Sequence, residues 1–239
     1  MRQLIHADIK RILLTVGFYI PMLLLGIWIL VYTDGVKTPS DLIGMLRRSL
    51  GAPGMTFLCI PIFLKVYGDD LKSGAFLTVI GRGLSRNRLV WAKLLDCAIL
   101  LAGSYLVEFL VCLYAVHAAN MIFSPRQRML LLLYCLYEVI RGVGFFALAS
   151  LVLFLTMSAA GGLLTLLVGG LVSGLCLKAL QGEIVFPIYD LSFEGLLDSS
   201  FAMFEAGETG WQLVPALCIY LLGVILLNMT IFGRKELEL

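Results

Sequence analysis

Charge is what this chain has little of. Only 14% of its 239 residues are Asp, Glu, Lys or Arg, where an ordinary soluble domain carries about 25%. Histidine is nearly missing as well: His6 and His117 cannot build a histidine-based metal cluster, and His117, near the end of an apolar run, reads as an interfacial side chain. Six cysteines stand singly in or beside apolar runs with no Cys-x-x-Cys spacing. That excludes a recognisable zinc site or redox pair and leaves them as small, soft packing residues. The dipeptide Gly-Lys never occurs, so there is no phosphate-binding loop of the Gly-Lys-Ser/Thr type, and the His-Glu-x-x-His and Gly-x-Ser-x-Gly motifs are missing too. No enzyme activity, bound cofactor or metal is expected of this chain. The net charge of +2 gives no reason to expect nucleic acid as a partner.

What is abundant is apolar sequence, 60% of the residues with a mean hydropathy of +0.98. It comes in blocks matched to a bilayer, whose ~30 Å hydrocarbon core takes about 20 apolar residues to cross. Six runs, 13–32, 52–67, 94–118, 129–156, 158–178 and 211–232, predict an all-α membrane protein with a single transmembrane domain over 1–239 and no room for a soluble one. The second run is short, and Pro53 and Pro61 soften its ends. The fourth is long enough to tilt or kink near Gly142 and Gly144, and the fifth carries Gly170 and Gly174 at a spacing that lets helices approach closely. Ahead of the first run, Leu4, Ile5, Ile9 and Ile12 share one face while Arg2, Gln3, His6, Lys10 and Arg11 lie largely opposite. That pattern predicts a helix lying in the membrane interface, though a plain basic flank fits the same spacing. The charged start and the lack of a small-residue cleavage site speak against a removable signal. Thr38-Pro39-Ser40-Asp41 reads as a helix start, predicting a short amphipathic helix through Leu50 on the outer surface.

Orientation follows from the basic residues. With the amino terminus inside, the cytoplasmic side holds eleven: Arg2, Lys10, Arg11, Lys65, Lys72, Arg82, Arg86, Arg88, Lys93, Arg234 and Lys235. The outer side holds six: Lys37, Arg47, Arg48, Arg126, Arg128 and Lys178. Residues 181–210 carry Glu183, Asp190, Glu194, Asp198, Glu205 and Glu208 with no basic residue, as suits an outer segment between the fifth and sixth spans. Such a segment attracts a cationic peptide or simply obeys the inside–outside charge bias.

Four charges fall within the apolar runs: Asp96, Glu108, Glu138 and Arg141. An ionisable group near the bilayer centre costs at least about 2.5–3.5 kcal/mol, so it turns to the bundle interior and finds a partner. Glu138 and Arg141, three apart, are near enough to pair. They are either a structural pair or, with Glu108 on the adjacent span, a polar path for a transported molecule. Asp96 reads as a border residue at the cytoplasmic edge.

The segment 68–93, GDDLKSGAFLTVIGRGLSRNRLVWAK, is the sizeable polar, basic stretch on the inner side. Asp69, Asp70 and Lys72 suit a helix leaving the membrane, and Leu71, Ala75, Phe76 and Val79 give it an apolar stripe. Gly81, Arg82 and Gly83 break it, and Ser85 caps the next turn before Trp91 and Lys93 reach the interface. An amphipathic helix held parallel to the membrane docks into a groove of a soluble protein; a solvated basic loop is the alternative.

Asp70-Leu-Lys-Ser-Gly-Ala, then Gly83-Leu-Ser-Arg, then Lys93 resembles the inner-loop signature of type-2 ABC transporter permeases. That signature has an acidic residue, a Gly-Thr-like pair, a small-residue turn with Ser-Arg, and a lysine opening the third span. The likeness is closest to small bacterial permeases of the bacitracin and lantibiotic self-protection type, and the architecture of the whole chain is similar. Ala75 stands where the family often has Thr, and Gly83 where many members have Pro. The resemblance implies the transmembrane subunit of an ATP-driven exporter in the bacterial cell membrane, with both termini cytoplasmic. It would pair with an identical or related permease subunit and engage an ABC ATP-binding subunit through a coupling helix between spans two and three. Asp70, Gly74, Ala75, Phe76, Arg82, Ser85 and Arg86 would meet that partner, which holds ATP and Mg2+. A peptide, lipid or hydrophobic drug would be moved outward, with membrane lipid around the bundle. A different class of protein, a non-transporting membrane assembly or sensor component, would have no ATPase partner. An intramembrane enzyme lacks a nucleophile–base motif here, and an ion-coupled carrier usually shows a longer chain or internal repeats.

Overall fold

Polar turns divide the apolar runs into helices. The computed structural model describes residues 2–33, 36, 41, 44, 47, 50–183, 186–208 and 213–234, with residues 2 and 3 by their backbone alone. Among these every regular element is helical: α1 (Arg2–Leu13), α2 (Val16–Thr33), α3 (Ala52–Phe63), α4 (Asp69–Lys72), α5 (Ala75–Gly81), α6 (Arg86–Ala118), α7 (Pro125–Thr156), α8 (Ala159–Val168), α9 (Gly174–Glu183), α10 (Ile188–Leu191), α11 (Phe193–Ala206) and α12 (Val214–Arg234). Two π-helical turns, Leu64–Gly68 and Gly169–Ser173, join α3 to α4 and α8 to α9. The short helix expected over 38–50 falls mostly outside the described residues, as do Lys37, Arg48 and Lys235.

Local chemistry sets the long elements. Ser124 and Gln127 form a reciprocal capping box and Pro125 opens α7, satisfying N–H groups that a helix start leaves free. At 33 residues, α6 is about 50 Å long at 1.5 Å per residue, well beyond the hydrocarbon thickness. It begins eight residues before the expected run at 94, because hydropathy registers only the apolar part of a helix that continues into the interface. The same reason carries the fifth run on to Glu183.

Among the described residues five helices are long and apolar enough to cross a membrane: α2, α6, α7, the α8–α9 rod and α12. The remaining expected span, 52–67, differs from them. Its α-helix has only 12 residues and continues through the π turn into α4, and it is deeply buried, with Leu58, Cys59, Ile62, Phe63, Val66 and Tyr67 all almost inaccessible. Pro61 lies inside α3 without ending it. At the periphery, Leu14, Val16, Leu175 and Ile219 are each more than 70% exposed. Apolar surface on that scale is not carried by soluble monomers. The chain is an all-helical protein of multi-pass membrane type.

The fourth run, long enough to tilt or kink near Gly142 and Gly144, forms an unbroken helix through both positions. Gly142 and Gly144 instead admit neighbours: a Cβ at Gly142 would sit 2.3 Å from Leu101 Cδ2, and one at Gly144 2.4 Å from Phe193 Cε1. Near one end of the bundle Phe154 and Phe232 stack at 4.3 Å, with Phe76 edging against both. Buried Asn228 of α12 donates to Ala147 O at 2.8 Å and accepts from the Ser150 hydroxyl of α7. This end carries α1, the hairpin 69–85 and the end of α12, and is called the hairpin end below.

At the opposite end α10 folds tightly on α11. A Cβ at Gly195 would lie 1.9 Å from Tyr189 O, a backbone atom that cannot swing away. Gly195→Ala is therefore expected to destabilise the protein by about 1–3 kcal/mol, as overpacking does, lowering its melting temperature in detergent. An unchanged melting temperature would contradict this packing.

Candidate functional site

Two clusters of charge lie in the helical assembly, one at the hairpin end and one beside the middle of α7. The hairpin-end cluster begins on α1. Asp8 occupies the apolar face of that helix, one turn from Leu4 and Ile12, and is buried. Lys93 of α6, with 1% of its side chain exposed, donates to Asp8 Oδ2 at 2.6 Å and also to Asp70 Oδ2. Arg11 Nη2 stands 2.9 Å from Asp70 Oδ1. A lysine thus joins α1, the start of the hairpin and α6, and Arg11 braces it from α1. In low dielectric such an assembly holds only if its charges match in place. Asp96, expected as a border residue, is fully buried, and neither carboxylate oxygen has a hydrogen-bond partner. The hydroxyl of Tyr67, within the π turn Leu64–Gly68, lacks one too.

The hairpin itself rests on this cluster. Gly74 takes a left-handed φ of +66°, which lets the chain turn from α4 into α5 without strain. Phe76 of α5 plugs into the Phe154–Phe232 stack and is buried, while Leu71, Val79 and Ile80 pack on the same core. Gly83, with φ +91°, reverses the chain, and Ser85 stands at the N-cap of α6 without a side-chain cap bond. Arg86 donates to Phe232 O at 3.0 Å and Gly233 O at 3.1 Å and lies over the Phe232 ring. It caps the carboxyl end of α12, where a cation is favoured by the helix dipole.

The seven hairpin residues expected to meet a partner therefore divide. Asp70, Phe76 and Arg86 point into the protein and fix the hairpin to α1, α6, α7 and α12. Arg82 and Ser85 are exposed, and Gly74 and Ala75 are half-buried. The outward surface is completed by Lys72, Ser73, Thr78 and Arg88. The hairpin is anchored beneath and basic above.

The second cluster centres on α7. Arg141 Nη1 donates to Glu138 Oε1 at 2.9 Å, one turn back, and Nη2 donates to Asp198 of α11 at 2.5 Å. The Tyr189 hydroxyl also donates to Asp198, and Lys178 Nζ lies 4.5 Å from the Tyr189 ring centre. Burial, then the hydrogen bond to Asp198, pushes the Tyr189 phenol up. Burial also raises the Glu194 carboxyl, against the pull of Ser173 and Arg141, and Gly174 leaves the space that Glu194 fills. Around the pair is a cavity of about 170 Å³ lined by Arg47, Tyr134, Tyr137, Glu138, Arg141 and Phe201, among others.

Glu108 does not join this group. It is fully buried with both oxygens unpartnered, and a Cβ at Gly26 of α2 would lie 3.9 Å from its Oε2. Of the three charges considered for a path, only Glu138 and Arg141 come together. Asp8, Arg11 and Asp198 were not among the expected site residues. Asp8 had left a signal, an acid in the middle of an apolar helical stripe, whereas Asp198 was one of six acids in a polar segment. Among the described residues no group of His, Cys, Asp and Glu is arranged to hold a metal.

No protein-family model, curated protein or solved structure matches this chain.

Proposed function

We propose that this chain is the transmembrane subunit of an ATP-driven exporter, energised by a separate ATP-binding subunit that grips the hairpin 69–85. The supporting observation is the hairpin's construction: Lys93, Asp70 and Phe76 lock its inner side to the bundle, while Arg82 and Arg88 face outward. A projection held at these points passes a push from a partner directly into α1, α6 and α12. In this reading the α3–π–α4 rod supplies a sixth crossing, both chain ends share the cytoplasmic side with the hairpin, and a second permease subunit completes the transporter. The cargo is a peptide, lipid or hydrophobic drug, and ATP and Mg2+ stay with the partner.

Isolation in mild detergent from native membranes tests this. An ATPase carrying nucleotide-binding motifs is expected to accompany the chain. Its stimulation by the chain should fall about tenfold with Arg82→Glu and Arg88→Glu together, the effect of losing two charge-assisted contacts. Isolation without an ATPase would overturn the proposal in favour of a non-transporting membrane component.

A further inference from the structure

We infer that the cavity between the carboxyl end of α6 and the start of α7 binds the phosphate headgroup of an anionic membrane lipid. The cavity measures about 330 Å³, within the range of small-molecule sites. Leu113 and Val116 of α6, with Met121 and Phe123 of the connection, give it apolar walls, and His117 and Arg128 supply its polar groups. Both of these are exposed, so an arriving ligand meets their donors directly. Among the described residues neither side chain has a hydrogen-bond or ion-pair partner. Arg126, in the same turn as Arg128, is by contrast engaged, donating to Glu205 O at 3.0 Å. Arg128 therefore has its whole fork of N–H donors to offer, a shape that suits two oxygens of one phosphate. His117 adds an imidazole N–H in either of its charge states.

Depth identifies the source of the phosphate. His117 closes the apolar run 94–118, and Arg128 immediately precedes the run 129–156. The ends of bilayer-length runs lie at the hydrocarbon boundary, next to the lipid headgroups. Between the two cations the chain turns through Met121-Ile122-Phe123, and Ile122 is 88% exposed. An isoleucine presented so openly is favoured against acyl chains rather than water. A free phosphate ion would satisfy Arg128 and His117 but leave the apolar walls wet. A phospholipid covers both, with its phosphate on Arg128 and His117 and the upper part of an acyl chain along Leu113 and Ile122. Among the described residues no carboxylate lines the cavity, so a headgroup ammonium finds no partner there and a headgroup with net negative charge is preferred. The site lies at the end of α6 away from the hairpin, and the inference does not depend on the exporter reading.

The experiment is native mass spectrometry of the full chain in detergent, titrated with dioleoyl phosphatidylglycerol or dioleoyl phosphatidylcholine. Phosphatidylglycerol is expected to bind about tenfold more tightly, the effect of one charge-assisted contact. Arg128→Gln should bring the two lipids to parity. Arg126→Gln, two positions away and already bonded to Glu205 O, should keep the preference. If Arg128→Gln does not fold, His117→Leu carries the same test at a second exposed position, with the preference expected to fall about threefold. Equal binding of the two lipids by the unaltered chain would overturn the inference. So would a preference lost equally in Arg126→Gln and Arg128→Gln, which would mean diffuse charge attraction only. Displacement of phosphatidylglycerol by an equal concentration of inorganic phosphate would overturn the lipid assignment in favour of a free anion.

Discussion

Lys93→Met is expected to cost the fold about 3–5 kcal/mol, the penalty for stripping the partner from buried charge. The lysine meets two carboxylates, Asp8 and Asp70, from two other elements, and its removal leaves the part-exposed Arg11 as the cation beside both. The loss should appear as a collapse of the monodisperse peak on size exclusion and a sharp fall in melting temperature. Adding Asp8→Asn to Lys93→Met removes part of the uncompensated charge and should recover a measurable share of the stability. A cycle of the two single variants and the double variant isolates that coupling. If Lys93→Met melts like the unaltered protein, the buried assembly does not exist, and the hairpin loses the anchor on which the exporter proposal depends. Arg86→Glu gives a smaller, related effect, because Arg86 caps α12 and its reversal disturbs the packing as well as the charge of the hairpin. Arg82 and Arg88 are the better probes of partner contact for that reason.

Arg141→Met is expected to have an effect of the same order. Glu138 would remain at 1% exposure with no cation to match it, and Asp198 would lose its link to α7. The predicted cost is again about 3–5 kcal/mol, with α11 released from the end of the bundle. Limited proteolysis within 188–206 should become many times faster than in the unaltered protein. Glu138→Gln combined with Arg141→Met should melt well above Arg141→Met alone, since the orphaned carboxylate is gone. Equal melting of the two would show that Glu138 and Arg141 do not depend on each other.

Much of the helical layout could be read from the sequence because its signals are local. Apolar runs of bilayer length located five long helices, and Gly81, Gly83 and Ser85 located the break ahead of α6. The second run was less legible: its 12-residue α-helix continues through a π turn, a change in hydrogen-bond register that side-chain composition does not announce. The Glu138–Arg141 pair was visible because one helical turn separates the two residues on any straight helix. The placing of Glu108 against α2, away from that pair, was not visible, since it depends on how α6 is rotated. The hairpin's apolar stripe was legible, but the capping of α12 by Arg86 joins residues 146 apart, and nothing near position 86 announces it.

By itself, then, the amino-acid order determined that this is a membrane-type helical chain, where its long helices lie, and that a polar hairpin precedes α6. Those features follow from transfer free energy and backbone preference, which act residue by residue. The folded bundle alone decided which charges meet: Asp8 with Lys93 across 85 positions, and Arg141 with Asp198 across 57. An apolar helix is stable at many rotations and depths, so its charges gain partners only when neighbouring helices fix both.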